Sequence, residues 1–117
     1  MALAYAVTLL ADHKGFTKPK VVGDEYVVDA YIVVTTATSG GEVITATSLG
    51  LDSITCATIT GNSLPATYDV DIEISATGAY ESNSSIALLF TAMDGTNAAA
   101  TGDITDTTVR LRVWGNL

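Results

Sequence analysis

From Tyr68 to Ser75 the chain alternates without a break. Tyr68, Val70, Ile72 and Ile74 fall on one side of an extended backbone, and Asp69, Asp71, Glu73 and Ser75 on the other. A period of two puts successive side chains on opposite faces of a strand, whereas a helix needs apolar residues every three to four positions. Similar β-type patterning recurs between turn signals along the chain, and helical periodicity is nearly absent. This pattern restricts the chain to an all-β fold.

Ala2 to Leu10 reads as a first strand, followed by a polar loop from Ala11 to Lys20 that holds Gly15 and Pro19. Tyr26 to Thr36, rich in Val, Ile and Tyr, is the strongest strand, and its near-continuous apolarity predicts burial on both faces. Thr38-Ser39-Gly40-Gly41 is a turn. Glu42 to Leu51 is either a short strand or a single helical turn closed by Gly50 in the left-handed conformation. Ser53 to Thr60 is a strand, Gly61-Asn62-Ser63 a turn, and Ala66 to Ser75 the alternating strand. Ala76 to Ser84 is a polar loop, Ser85 to Met93 a further strand, and Asp94 to Asp106 a long loop. Thr107 to Trp114 closes the chain, with Val109, Leu111 and Val113 inward and Arg110, Arg112 and Trp114 outward. The expected architecture is an antiparallel β-sandwich or barrel of about six to eight strands. With 117 residues it forms a single domain over 1–117, in which 1–20 is either part of the body or an extended, partner-docking segment. A domain of this length buries roughly two-thirds of its unfolded surface, so its core needs no staple.

Charge narrows the function. Thirteen acidic residues against five basic ones leave a net charge of −8. A nucleic-acid binder needs a basic footprint to displace counterions, so no nucleic-acid partner is expected. The bases are clustered: Lys14, Lys18 and Lys20 near the start, Arg110 and Arg112 near the end, and none from Val21 to Val109. These basic ends are either simply solvated or dock on an acidic partner. No apolar run approaches the ~20 residues of a membrane-spanning helix, and no membrane association is expected. The opening apolar run lacks the preceding positive charge of a signal peptide, so it reads as a strand of a leaderless protein.

Catalytic chemistry finds little to work with. Cys56 is the single cysteine and His13 the single histidine. No disulfide within the chain is possible, and Cys56 in Ser-Ile-Thr-Cys-Ala-Thr-Ile reads as a small, buried, inert hydrophobe. Gly40-Gly41 lacks the spacing and the Lys of a phosphate loop. Asp69, Asp71 and Glu73 share one strand face with neighbouring Cα atoms ~7 Å apart. They form either a Ca²⁺ site completed by loop ligands or an acidic face paired across strands with Arg110 and Arg112. A carboxylate pair acting on a sugar would need a cleft, and one Trp, five Tyr and two Phe provide few aromatics to build it. The expectation is a protein with no catalytic residues, no metal and no cofactor. Trp114 either caps the core or anchors a subunit contact, where Trp and Arg are enriched.

Three features together resemble the small structural proteins of tailed bacteriophages, of the head decoration or capsid cement kind. One is the opening strand, Lys-bearing loop and hydrophobic strand Tyr26 to Thr36. Another is Ser39-Gly40-Gly41-Glu42 leading into Thr45-Ala46 and Ser48-Leu49-Gly50-Leu51. The last is the closing Thr108-Val109-Arg110-Leu111-Arg112-Val113-Trp114-Gly115. The likeness covers most of the chain in layout and a smaller part in motif. It implies a protein made in the host cytoplasm that coats the outside of an icosahedral virion shell in many copies. The major capsid protein and further copies of itself, in a trimer, would be its partners. Lys14, Lys18, Lys20, Arg110, Arg112 and Trp114 are then the candidate docking residues. Val27, Tyr31 and Val33 are the candidate oligomer contacts, because a strand apolar on both faces needs a cover for the face that does not fill the core, either another subunit or the loop Asp94 to Asp106 of the same chain. A tail, neck or fibre-associated β-sandwich that binds a protein or a glycan is the alternative; it needs exposed aromatics, for which Tyr5, Tyr68 and Tyr80 are the candidates, although alternation turns Tyr68 to the core.

Overall fold

Two long strands organise the molecule. The structure, a computed structural model, describes residues 7–11, 14–23, 25–37, 41–74, 83–95, 98–100 and 102–117. Among these residues the strands are β1 (Thr8–Leu9), β2 (Lys20–Val22), β3 (Glu25–Ala37), β4 (Glu42–Thr45), β5 (Ser53–Asn62), β6 (Tyr68–Glu73), β7 (Ser85–Ala92) and β8 (Gly102–Asn116). They form two antiparallel sheets. One is five-stranded, in the order β1-β3-β8-β5, with β2 also paired to β3; the other is three-stranded, β4-β7-β6. The sheets pack face to face, as the alternation requires.

β3 and β8 pair from Tyr26 opposite Gly115 to Ala37 opposite Gly102. Val28, Ala30, Ile32 and Val34 of β3 and Val109, Leu111 and Val113 of β8 turn inward and are buried. Ile44, Ile86, Leu88 and Phe90 meet them from the second sheet. Each such side chain contributes roughly 1.5–3 kcal/mol by leaving water. β6 keeps its predicted faces: Val70 is buried, Tyr68, Ile72 and Ile74 are half-buried, and Asp69, Asp71 and Glu73 are exposed. Tyr68 packs edge-on against Phe90, with ring centroids 6.4 Å apart, and its hydroxyl accepts the Thr105 N–H at 3.1 Å.

The segment after β4 combines both readings of its sequence. A 3₁₀ turn, Thr47–Leu49, follows the strand and ends at Gly50, whose φ of 78° is left-handed and whose N–H bonds the Thr47 carbonyl. Leu49 and Leu51 anchor this turn in the core.

Three expectations are corrected. The turn at Gly61-Asn62-Ser63 lies later, because β5 runs on through Asn62, opposite Val109 of β8. The chain reverses at Leu64–Thr67, where the Thr67 and Tyr68 N–H groups bond the Leu64 carbonyl. The loop Asp94 to Asp106 is shorter than its Gly- and Thr-rich composition implies. Gly102 to Asp106 belong to β8, where Gly102 and Asp103 pair with Ala37 and Thr36; a waiting ladder overrides weak strand propensity. Cys56 is exposed, not buried. Its neighbour Ile54 is fully buried, but the register shifts between Ile54 and Cys56. One extra residue in a strand turns every following side chain to the opposite face.

Gly115 tests the β5–β8 contact. A Cβ at this position would collide with the Ser53 carbonyl oxygen and press on Leu51. Gly115→Ala should therefore destabilise the fold by roughly 3 kcal/mol, at the upper end of the range for overpacking. Urea unfolding of the two proteins checks this; an unchanged midpoint would mean that the strands do not approach so closely.

Candidate functional site

The outward side chains of the five-stranded sheet form the candidate site. β3 contributes Val27, Asp29, Tyr31 and Val33, and β8 contributes Trp114, Arg112, Arg110 and Thr108 in matching register. Val27 therefore stands beside Trp114, Asp29 beside Arg112, Tyr31 beside Arg110 and Val33 beside Thr108. On one flank β2 adds Lys20 opposite Val27. On the other, β5 adds Cys56 opposite Trp114 and Thr58 opposite Arg112. Antiparallel pairing turns opposed residues to the same face, so the register alone assembles this surface. Val27, Tyr31 and Trp114 are half-buried and Val33 is 40% exposed.

The structure thus places Lys20, Val27, Tyr31, Val33, Arg110, Arg112 and Trp114 on one sheet face. In sequence they had divided into a docking set and an oligomer set. Lys18 borders this surface: with Lys20, Phe16, Leu10, Val27 and Asp29 it lines a cleft of about 80 Å³ between β3 and the segment before β2. The Lys20 ammonium lies 5.8 Å from the centre of the Phe16 ring, within cation–π range. Lys14 is exposed in the turn before them. His13, Tyr5 and Tyr80 lie outside the described residues. The described part of 94–106 does not cover this face. Ala98 and Ala100 are hydrogen-bonded to Ala92 and Phe90 of β7, in the other sheet.

Asp29 is the residue that sequence reading missed. Arg112 donates to it through two parallel bonds, Nε to Oδ1 at 2.9 Å and Nη2 to Oδ2 at 3.0 Å. These bonds hold the Asp29 carboxyl below the ordinary aspartate range, against a smaller opposing effect of burial. The signal was present, since Asp29 is the one charged residue between Tyr26 and Thr36, but its partner is 83 positions away. The pairing of Arg110 and Arg112 with Asp69, Asp71 and Glu73 is corrected: β6 belongs to the other sheet. On β6, partial desolvation, then the charge of Asp69 and the hydrogen bond with it, push the Asp71 carboxyl up. Among the described residues no group of three or more His, Cys, Asp and Glu side chains is placed to hold a metal ion. No helix among them is long and apolar enough to cross a membrane.

Comparison with protein-family models, with curated proteins and with solved structures finds no match.

Two outcomes follow from this geometry. A carboxylate whose folded pKa lies below its unfolded value stabilises the fold above the unfolded pKa, and that contribution is lost as pH falls through the folded pKa. The difference in melting temperature between wild type and Asp29→Asn should be full near neutral pH and vanish as pH drops below the usual ~3.9 of aspartate. A difference that grows on acidification would reverse the sign. Cys56, exposed on the same face, should react with a maleimide in the native state. Partial desolvation and the charge of Glu25 push its thiol up, so the rate should rise with a midpoint above the ~8.5 of a free cysteine. A native thiol that resists labelling at alkaline pH would restore the buried assignment.

Proposed function

We propose that the chain is a non-enzymatic virion structural protein that decorates or cements a phage shell, seating the outer face of its five-stranded sheet on the major capsid protein. One observation carries the reading: Trp114, Tyr31, Val27, Val33, Arg110 and Arg112 occupy a single sheet face in adjacent register. Aromatic residues and arginine are the types enriched in protein interfaces and in their energetic centres. A strand ladder holds them rigidly, which lowers the entropy lost on docking.

Charge supports the same orientation. The chain carries −8 overall, yet Lys20, Arg110 and Arg112 stand on this face and Lys18 on its border. The acidic row Asp69, Asp71 and Glu73 is carried by the other sheet. Glu25 and Asp29 share this face, so its excess of bases is small, but it is far less acidic than the body and orients an approach to an acidic surface. Asp29 neutralises Arg112 at close range and fixes its guanidinium, so Arg110 contributes more to that steering than Arg112.

Electron microscopy of the parent particle and cosedimentation with its empty shells test the proposal. The chain should lie on the outer shell surface in many copies. Trp114→Ala should weaken shell binding at least about tenfold, the loss of a moderate interface anchor, with melting temperature little changed. Binding should also weaken as salt rises. Placement in the tail, or equal shell binding by wild type and Trp114→Ala, would overturn the proposal.

A further inference from the structure

Given the docking role assigned to the outer face of the larger sheet, we propose that Thr55 and Glu25 are its positioning residues. The Thr55 hydroxyl, held by the Glu25 carboxylate, fixes the main chain of Trp114 where the ladder beside it is broken, so that this anchor is ordered before a partner arrives.

Trp114 stands on β8 between two neighbouring strands, and its two sides differ. Towards β3 the register runs without a shift from Gly115 to Thr107. Towards β5 it shifts beside Trp114 itself. Gly115 and Trp114 are opposed by Ile54 and Cys56, which leaves Thr55 as the extra residue of a bulge. A bulge leaves its extra residue unpaired and disrupts the ladder locally. Here a side chain replaces part of what the main chain loses. The Thr55 hydroxyl donates to Glu25 Oε2 at 2.6 Å and, more weakly, to the Trp114 carbonyl oxygen at 3.2 Å.

Glu25 reaches this hydroxyl from β3, across the width of β8. Neighbouring strands lie about 4.8 Å apart, so β3 and β5 are about 10 Å apart, and a long side chain is needed to close the gap. A hydrogen bond to a charged acceptor is about twice as strong as one between neutral groups, and a β-branched threonine has few rotamers to lose in making it. Glu25, Thr55 and Trp114 are all half-buried, which limits competition from water. Desolvation and then the charge of Glu25 push the Cys56 thiol up, and a hydrogen bond with Thr55 draws it down. The one hydroxyl therefore meets three groups around the bulge. An interface anchor gains from such support, because ordering it only on contact would cost affinity.

Trp114 is the single tryptophan of the chain, so selectively excited fluorescence of the free protein reports on this site alone. Thr55→Val keeps the shape of the side chain and removes the hydroxyl. It should lower the anisotropy of Trp114 emission and strengthen its quenching by acrylamide. Thr55→Ser, which keeps the hydroxyl, should restore both. Glu25→Asp keeps the charge but shortens the reach, and should act like Thr55→Val. Ser63→Ala removes the hydroxyl that accepts the Thr108 N–H, away from the bulge, and should leave Trp114 emission as in wild type. Thr55→Val should also weaken shell binding about fivefold, the equivalent of one net hydrogen bond. The proposal is overturned if folded Thr55→Val or Glu25→Asp matches wild type in anisotropy and quenching. A Thr55→Ser or Ser63→Ala protein as loose at Trp114 as Thr55→Val would overturn it too. So would undiminished shell binding by Thr55→Val where Trp114→Ala binds weakly. If Thr55→Val does not fold, Glu25→Asp decides in its place. Full shell binding by Trp114→Ala, with the fluorescence changes as expected, would count against the docking reading only.

Discussion

The ladder between β3 and β8 is the constraint from which the rest of the structure follows. Its register sets both surfaces of the larger sheet at once. Each inward pair, such as Val28 with Val113 or Ala30 with Leu111, alternates with an outward one, such as Val27 with Trp114 or Asp29 with Arg112. A slip of one residue would send the core side chains to solvent and the arginines into the core. The bidentate Asp29–Arg112 pair marks the correct register from outside, as the buried valines and leucines do from inside. The two strands come from opposite ends of the chain, so most of the intervening sequence is enclosed by this one pairing. A fold dominated by such distant contacts is expected to form slowly compared with a helical one.

Charge is partitioned along the same lines. Basic residues gather on the outer face of the larger sheet, while the acids of β6 line an edge of the smaller one. That separation leaves the outer face of the larger sheet, which also carries Glu25 and Asp29, far less acidic than the chain as a whole. It also leaves β5 electrically quiet between the two, bounded by Asp52 and Asp69 but carrying no charge itself.

Small irregularities decide which side chains each surface shows. The bulge between Ile54 and Cys56 turns Cys56 and Thr58 outward, beside Trp114 and Arg112, and leaves Ala57 and Ile59 facing the core. The side chain of Asn62 then ties the end of β5 to β6. Its Nδ2 donates to the Tyr68 carbonyl at 3.0 Å and its Oδ1 accepts the Leu64 N–H at 3.0 Å. The Ser63 hydroxyl oxygen accepts the Thr108 N–H at 2.8 Å, which joins the crossing between the sheets to β8. The crossing is held by backbone groups and short polar side chains, as the Thr-, Ser- and Asn-rich composition allows.

The sequence by itself determined the fold class, the core faces of β6 and β8, and the outward direction of Arg110, Arg112 and Trp114, while its near-continuous apolarity left the core face of β3 open. Alternation is a local property, and each strand carries its own inside and outside. It also offered the helical turn ending at Gly50, because a left-handed residue is written locally as glycine, but left it as an alternative to a strand, and the structure has both in succession. What only the tertiary structure decided is which strands are neighbours. That Asp29 meets Arg112, that the acids of β6 do not, and that two separate residue sets share one face all depend on strand order across the sheets. No local pattern encodes strand order, because any two strands with a compatible apolar face can pair. The exposure of Cys56 was hidden for a related reason: a bulge is a mismatch between two strands, and it has no existence until both are in place.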